Sequence, residues 1–236
     1  MSSATDFERA AARFADQVEH GPMIRAVNFH NTPRSSAARL EAQLAGYARD
    51  FLPVTEDDLD AWLATGLWRK PKPGLIVAVY EGYRNGFDVL LPLLDRYGWV
   101  GWFFVITGFI DAPASRQFEF AAGHDIDMTT REYERDGRYA MTWEELRIVG
   151  TRHVIASHTR THVSLARLGP AERESEVVGA QRDLETHLGR PARAFASLGG
   201  PAYGADPATD QWIDRAGYQF VFSNLRIQRL RHADSA

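Results

Sequence analysis

The chain has no cysteine. Disulfides and thiolate metal sites are therefore excluded. It also lacks a basic excess: 27 Lys and Arg stand against 31 Asp and Glu, for a net charge of −4. That balance gives no electrostatic reason to expect nucleic acid or an anionic membrane surface as partner. Long apolar runs are missing too. The longest, Trp99 to Ile110, falls short of the roughly 18 residues a membrane span takes. The first residues, MSSATDFERAAARF, carry neither a basic start nor an apolar segment, so no signal peptide is expected and the chain reads as cytoplasmic. No linker, repeat or low-complexity stretch interrupts it. The reading is one domain over residues 1–236, with 1–20 as an N-terminal helical extension. What is present is apolar material, 44% of 236 residues, ample for a large core.

The most organised stretch is Gly74 to Asp111. Leu75 to Val79 reads as a buried strand. Tyr80 to Arg84 form a turn, and Asn85 is positioned to cap a helix through Leu94. Gly98 suits the helix end, and Trp99 to Ile110 reads as a second strand. Such a βαβ unit implies a parallel sheet with its chemistry at the strand C-termini. Glu81 sits at one of those ends.

Upstream, Thr5 and Glu8 form a capping box for a helix over residues 6–19, with Phe7, Ala11, Phe14 and Val18 at helical spacing. Met23 to Phe29 reads as a strand ending at His30. A helix bearing Leu40, Leu44, Tyr47 and Phe51 follows, then a short strand to Val54 and a helix capped by Thr55. Downstream, Ala112 to Ala140 is polar and aperiodic. It reads as a lid or binding loop containing His124 and Asp125. Thr142 and Glu145 cap a short helix, and His153 to Ser157 is a strand. Pro170 to Leu188 is a long helix, Ala192 to Leu198 a strand, and Gly199 to Tyr203 a glycine-rich turn. Asp206 with Pro207 opens a further helix, followed by a strand from Phe220. Strands alternating with helices point to an α/β fold, a single (β/α) barrel, irregular or incomplete.

The second informative stretch is Ile155 to Leu165, IASHTRTHVSL. His158 ends a strand and His162 follows four residues later. A helical turn between them would place both imidazoles on one face, as a divalent metal requires. In a chain with eight histidines the spacing alone does not assign a metal, since capping and core hydrogen bonding use the same residues. With Glu81 the set becomes two histidines and a carboxylate. Catalytic zinc sites and non-haem iron sites both use that set.

Several pieces then recur in order: Phe29–His30, the V-x-x-x-x-G-Y-R-N turn ending at Asn85, LPLLDRYG, FFVITGFID, MTWEELR and SHTRTH. On these the chain resembles the polysaccharide deacetylase family, the NodB-homology domain of carbohydrate esterase family 4, over most of residues 24–223. The resemblance implies metal-dependent removal of an N-acyl group from an amino sugar. The family's first turn reads TFDDGYRD, its first Asp the general base and its second a metal ligand. Aligned on Gly82, Tyr83 and Arg84, Tyr80 stands at the base and Glu81 at the ligand. His158 and His162 match the metal histidines. The third family motif, Arg followed by Pro-Tyr/Phe-Gly, is replaced by Ser197 to Gly204, and the late Leu-His motif has no convincing match, His232 reading as part of the tail.

The implied metal set is Glu81, His158 and His162. Zinc comes first, with iron, cobalt or nickel as alternatives and the absence of metal as a third option. The implied catalytic residues are Tyr80, Glu81 and His30. Arg84 and Tyr203 are the candidates for substrate contact. A phenol is a poor base at neutral pH, with an ordinary pKa of about 10. Tyr80 is thus expected either to be shifted or to hydrogen-bond the oxyanion. Three function classes follow: a divergent hydrolase of non-peptide C–N bonds on a carbohydrate or small amide, a non-hydrolytic metal enzyme, and a binding protein without turnover. A homo-oligomer is compatible with each.

Overall fold

The computed structural model describes residues 23–128, 132–135 and 137–230. The expected N-terminal helix over 6–19 and His232 lie outside the described residues.

Eight strands form one sheet: β1 (Ile24–Phe29), β2 (Leu52–Pro53), β3 (Gly74–Glu81), β4 (Gly101–Val105), β5 (Val154–Ser157), β6 (Ala194–Phe195), β7 (Phe220–Phe222) and β8 (Ile227–Arg229). Their order is β1-β3-β4-β5-β6-β7-β8, with β2 also on β3. Every pairing is parallel except β7 with β8. The sheet curls into an incomplete (β/α) barrel, so the α/β expectation holds.

Side-chain alternation along the strands sorts the core into two clusters. Ile76, Ala78, Trp102, Phe104, Val154, Ala156, Ala194, Phe220 and Phe222 meet inside the curl. Leu59 of a helix over Glu56–Thr65 joins them. Leu75, Val77, Val79, Phe103, Val105 and Ile155 face outward against the helices, among them Leu40, Leu44, Leu94, Leu146, Val177 and Leu184. Phe103, Phe104 and Trp102 are fully buried, so truncating any of them to Ala is expected to cost about 3–5 kcal/mol.

Local signals explain most element ends. Thr55 and Thr142 each make a capping box, with Asp58 and Glu145 respectively. Asp206 caps its helix by accepting from the Ala208 N–H, with Pro207 in the first turn. The differences are informative. β3 runs two residues past Val79, through Tyr80 and Glu81. The apolar run Trp99 to Ile110 is not one strand: β4 stops at Val105 and Thr107–Asp111 is a short helix. Its residues stay apolar because Thr107, Phe109 and Ile110 are buried in turn. Asn85 does not cap. Its side chain accepts from the N–H and hydroxyl of Thr32 and donates to Asn31, tying the loop after β1 to the turn after β3. Ala112 to Ala140 is not plain loop, since Ala114–Gly123 is a helix. Gln117, buried at 3% exposure, uses its carbonyl oxygen to bind the N–H groups of Tyr139 and Ala140.

Two π-helical turns lie behind the strand ends. Gly86–Leu90 leads into a helix over Leu91–Arg96. Ser175–Gly179 sits between helices Pro170–Glu174 and Ala180–Leu188. The expected single helix from Pro170 to Leu188 is continuous but carries this turn in its middle.

Candidate metal centre

Glu81 ends β3, His158 follows β5 directly, and His162 closes the next loop. One side-chain ligand atom from each lies within 4.8 Å of the others, and all three are buried. They occupy the floor of an open cavity of about 580 Å³. Its walls carry Asn28, His30, Tyr80, Asp125, Asp127 and Ser197, among others. The cavity lies at the C-terminal strand ends, where a parallel barrel concentrates chemistry.

Backbone geometry produces the cluster. Among the described residues four non-glycines have positive φ: Glu81 at 67°, Asp125 at 55°, Thr159 at 66° and His162 at 60°. Such angles are disfavoured for residues with a Cβ and persist where surrounding structure enforces them. At Glu81 the turn out of extended geometry lets its side chain face the cavity beside that of Tyr80, although strand alternation would send the two to opposite faces. Gly82, at φ 88°, continues the turn. A Cβ there would lie 2.9 Å from Cδ1 of Ile110, a side-chain end that can move, so it is the φ more than the crowding that favours glycine. Between His158 and His162 there is no helical turn, contrary to the spacing argument. Thr159 and His162 in left-handed geometry fold the loop back, and the Thr159 hydroxyl accepts the His162 N–H at 3.1 Å.

The loop is clamped from behind. Glu176, buried within the π turn Ser175–Gly179, accepts from the N–H of Arg160 and from the N–H and hydroxyl of Thr161 at 2.6–3.1 Å. Asp183 takes the hydroxyl of Thr107 at 2.8 Å and pairs with Arg160 at 3.1 Å. The Gly108 N–H reaches the Arg160 carbonyl at 2.8 Å, and a Cβ on Gly108 would come within 2.6 Å of that oxygen.

Both histidines are oriented by their other ring nitrogen. The Nδ1–H of His158 donates to the Ala196 carbonyl and that of His162 to the His124 carbonyl, each at 2.9 Å. A carbonyl can only accept, so each Nδ1 carries a hydrogen and Nε2 is the nitrogen left to face a metal. Burial, with His162 as the next cause, pushes the His158 imidazole down to about 3, so it stays neutral. The donor set of two imidazoles and one carboxylate fits a divalent cation of the zinc class.

His30, at the end of β1, donates from Nδ1 to the Glu81 carboxylate at 2.9 and 3.0 Å. Its side chain is 57% exposed. The hydrogen bond to Glu81 raises its pKa above the usual value, against the lowering effect of burial. Tyr80 stacks between His30 at 5.2 Å and Phe104 at 4.9 Å. Burial first, then the Glu81 charge, raises its phenol above the ordinary value. The environment thus moves Tyr80 away from base behaviour rather than towards it.

Two expected contact residues lie elsewhere. Arg84 turns from the cavity to pair with Asp88 at 3.1 Å and to cover the Tyr133 ring at 4.3 Å. Tyr203 lines a separate, smaller cavity and its hydroxyl donates to Asp214 at 2.8–2.9 Å. Sequence reasoning did not single out Glu176, Asp183, Asn28 or Asp127. The first two were inseparable from the polar side of a helix. Asp127 lay within an aperiodic segment.

The model of a family described as polysaccharide deacetylase matches residues 70–221. Among solved structures, the chain is similar in fold to the Streptococcus pyogenes deacetylase PplD in complex with acetate. That pair shares 16% identity over 88% of this chain and 85% of the other, with a TM-score of 0.63. IcaB from Ammonifex degensii gives 22% identity over 90% and 88%, also at 0.63. A de-N-acetylase from Aggregatibacter actinomycetemcomitans gives 13% over 89% and 90%, at 0.62. No curated protein matches the sequence.

Proposed function

The chain belongs to the polysaccharide deacetylase family, and from that premise we propose that it hydrolyses the N-acyl bond of an amino sugar or a small amide with the help of a divalent metal. The observation that carries this reading is the convergence of Glu81, His158 and His162 within 4.8 Å on the floor of an open cavity. Two of the similar solved structures are a deacetylase and a de-N-acetylase, which supports the same reaction class. Glu81 and the two Nε2 atoms would hold the metal, zinc by preference. A cation there supplies a Lewis acid for the acyl carbonyl and acidifies the attacking water.

The chain's own residues do the rest. Glu81 orients His30 through Nδ1, leaving Nε2 towards the cavity, the relation in which a carboxylate prepares an imidazole for proton transfer. His30 Nε2 takes the proton from water as its oxygen bonds to the acyl carbon. The same nitrogen returns that proton to the departing amine as the C–N bond breaks, giving a free amine and a carboxylic acid. Tyr80 stays protonated, and its hydroxyl has no hydrogen-bond partner among the described residues. It is free to donate to the oxygen on which negative charge develops.

The test is metal content of protein purified without chelator, alongside acetate release from N-acetyl amino sugars. Stoichiometric metal lost in Glu81→Ala and His158→Ala, with acetate released only by the loaded parent, is the expected result. A parent that binds no divalent metal overturns the reading. The raised phenol of Tyr80 favours a second reading, a sugar-binding protein without turnover. Acetate release acquired by Tyr80→Asp and absent from the parent would mark the parent as a disarmed deacetylase and leave binding as its role.

A further inference from the structure

Asp125 is the one non-glycine residue with positive φ, among those described, that belongs to neither ligand loop. It lines the same cavity as Glu81, His158 and His162. Its backbone is fixed on both sides. The preceding carbonyl, of His124, accepts the Nδ1–H of His162 at 2.9 Å. The N–H groups of His124 and Ile126 both go to the Ala121 carbonyl, at 3.2 and 3.1 Å. Ile126 is buried in the outer core. The Asp127 carbonyl accepts from the Tyr83 hydroxyl at 2.8 Å and from Asn31 at 3.3 Å. The carboxylate between these fixed points makes no hydrogen bond or ion pair among the described residues, and the residue is exposed.

A glycine would meet the backbone requirement without strain. What Asp adds at 125 is an uncommitted, acceptor-only group at the wall of the cavity. It is held in place at no further ordering cost to the main chain, the arrangement that gives binding groups their effect. Resting on the amino-sugar reading above, we propose that Asp125 is the specificity-determining residue of this site. Its carboxylate accepts hydrogen bonds from the ring hydroxyls of the sugar whose N-acyl group lies over Glu81, His158 and His162. It thereby distinguishes N-acyl amino sugars from amides that lack hydroxyls.

The experiment compares the parent with Asp125→Gly, which also relieves the backbone, and Asp125→Asn, which keeps a neutral acceptor. Binding of the N-acetylglucosamine tetramer is measured by calorimetry, and KM and kcat for acetate release are measured on the same compound and on a hydroxyl-free N-acetyl amide. Loss of a hydrogen bond to a charged group predicts Kd and KM for the tetramer raised about ten- to hundredfold in Asp125→Gly, with a smaller rise in Asp125→Asn. kcat is expected to fall far less, and the preference for sugar over plain amide to shrink by a similar factor. Tetramer binding in Asp125→Gly as tight as in the parent overturns the proposal. So does a parent that does not bind the tetramer, or an equal loss on both substrates. A parent that binds the tetramer through Asp125 yet releases no acetate removes the hydrolytic reading and leaves this one standing.

Discussion

Burial raises the pKa of a phenol and of a carboxylate alike, but at pH 7 only the carboxylate starts out ionised and has a charge to lose. Tyr80 is already neutral at pH 7, and burial beside Glu81 makes it more so. If it donates to the developing oxyanion, Tyr80→Phe lowers kcat about a hundredfold while metal content stays at the parent level, a pairing read by steady-state kinetics with elemental analysis. His153 makes a separate prediction about stability. It accepts the Gly101 N–H at Nδ1 and lies 3.4 Å from Asp95 through Nε2. Burial holds it below its ordinary value of 6.5, with Asp95 opposing and Arg152 reinforcing the shift. The unfolded chain therefore binds this proton more readily than the folded one. Stability is complete above the unfolded pKa and falls as pH drops through it towards the folded value. Urea midpoints between about pH 8 and about pH 5 should decline in the parent and decline less in His153→Asn. Which residue types meet at the site was legible in the sequence, because Glu81 and His158 stand at recognisable strand ends and His162 follows four residues after His158. Their oriented tautomers were not, since the Ala196 and His124 carbonyls that set them lie 38 residues away from their histidines in each case.

At the scale of elements, the loop from His158 to His162 owes its shape to the helical segment behind it. Glu176 satisfies two N–H groups and a hydroxyl that the left-handed turn leaves facing inward. Glu176→Gln replaces one acceptor oxygen with a donor, and metal affinity measured by chelator competition should weaken about ten- to hundredfold. Gly108→Ala should act from the other side by pressing a methyl towards the Arg160 carbonyl, lowering both metal affinity and the urea midpoint. Elements with local signatures were readable from the sequence: both threonine capping boxes and the Asp206–Pro207 helix start are where their residues put them. The helix Ala114–Gly123 was hidden because its buried positions are Gln117 and Ala121, so its inward face carries no large apolar stripe. β8 was hidden for a similar reason. Its three residues are only partly covered, and their antiparallel pairing with β7 gives too short a pattern to show alternation.

For the molecule as a whole, ligand atoms from β3 and from the loop after β5 meet only once the sheet has curled. A cation bridging them thus binds the folded chain in preference to the unfolded one. At about a hundred times Kd, added metal should raise stability by about 2.7 kcal/mol. For a chain of this size that is about 2–4 °C in Tm per kcal/mol. Stripping with chelator should lower Tm by that amount, and Glu81→Ala should abolish the difference. The barrel itself was legible from the alternation of strands and helices and from the family resemblance. Its division into inner and outer cores was not, since β3 and β4 are buried on both faces and their apolar runs do not mark which side turns inward. There is a further consequence of the two π turns, Gly86–Leu90 and Ser175–Gly179. Each holds one residue more than an α-helix would use over the same rise. One follows the Glu81 turn, and the other carries Glu176, whose hydrogen bonds to Arg160 and Thr161 tie the histidine loop to a local surplus in the count. Removing a single residue from 175–179 would restore ordinary helical winding and swing Glu176 by about 100° around the helix axis. The deleted chain should remain folded by circular dichroism yet no longer take up metal, so this five-residue window is where a change in chain length, rather than in side chain, would switch the centre off.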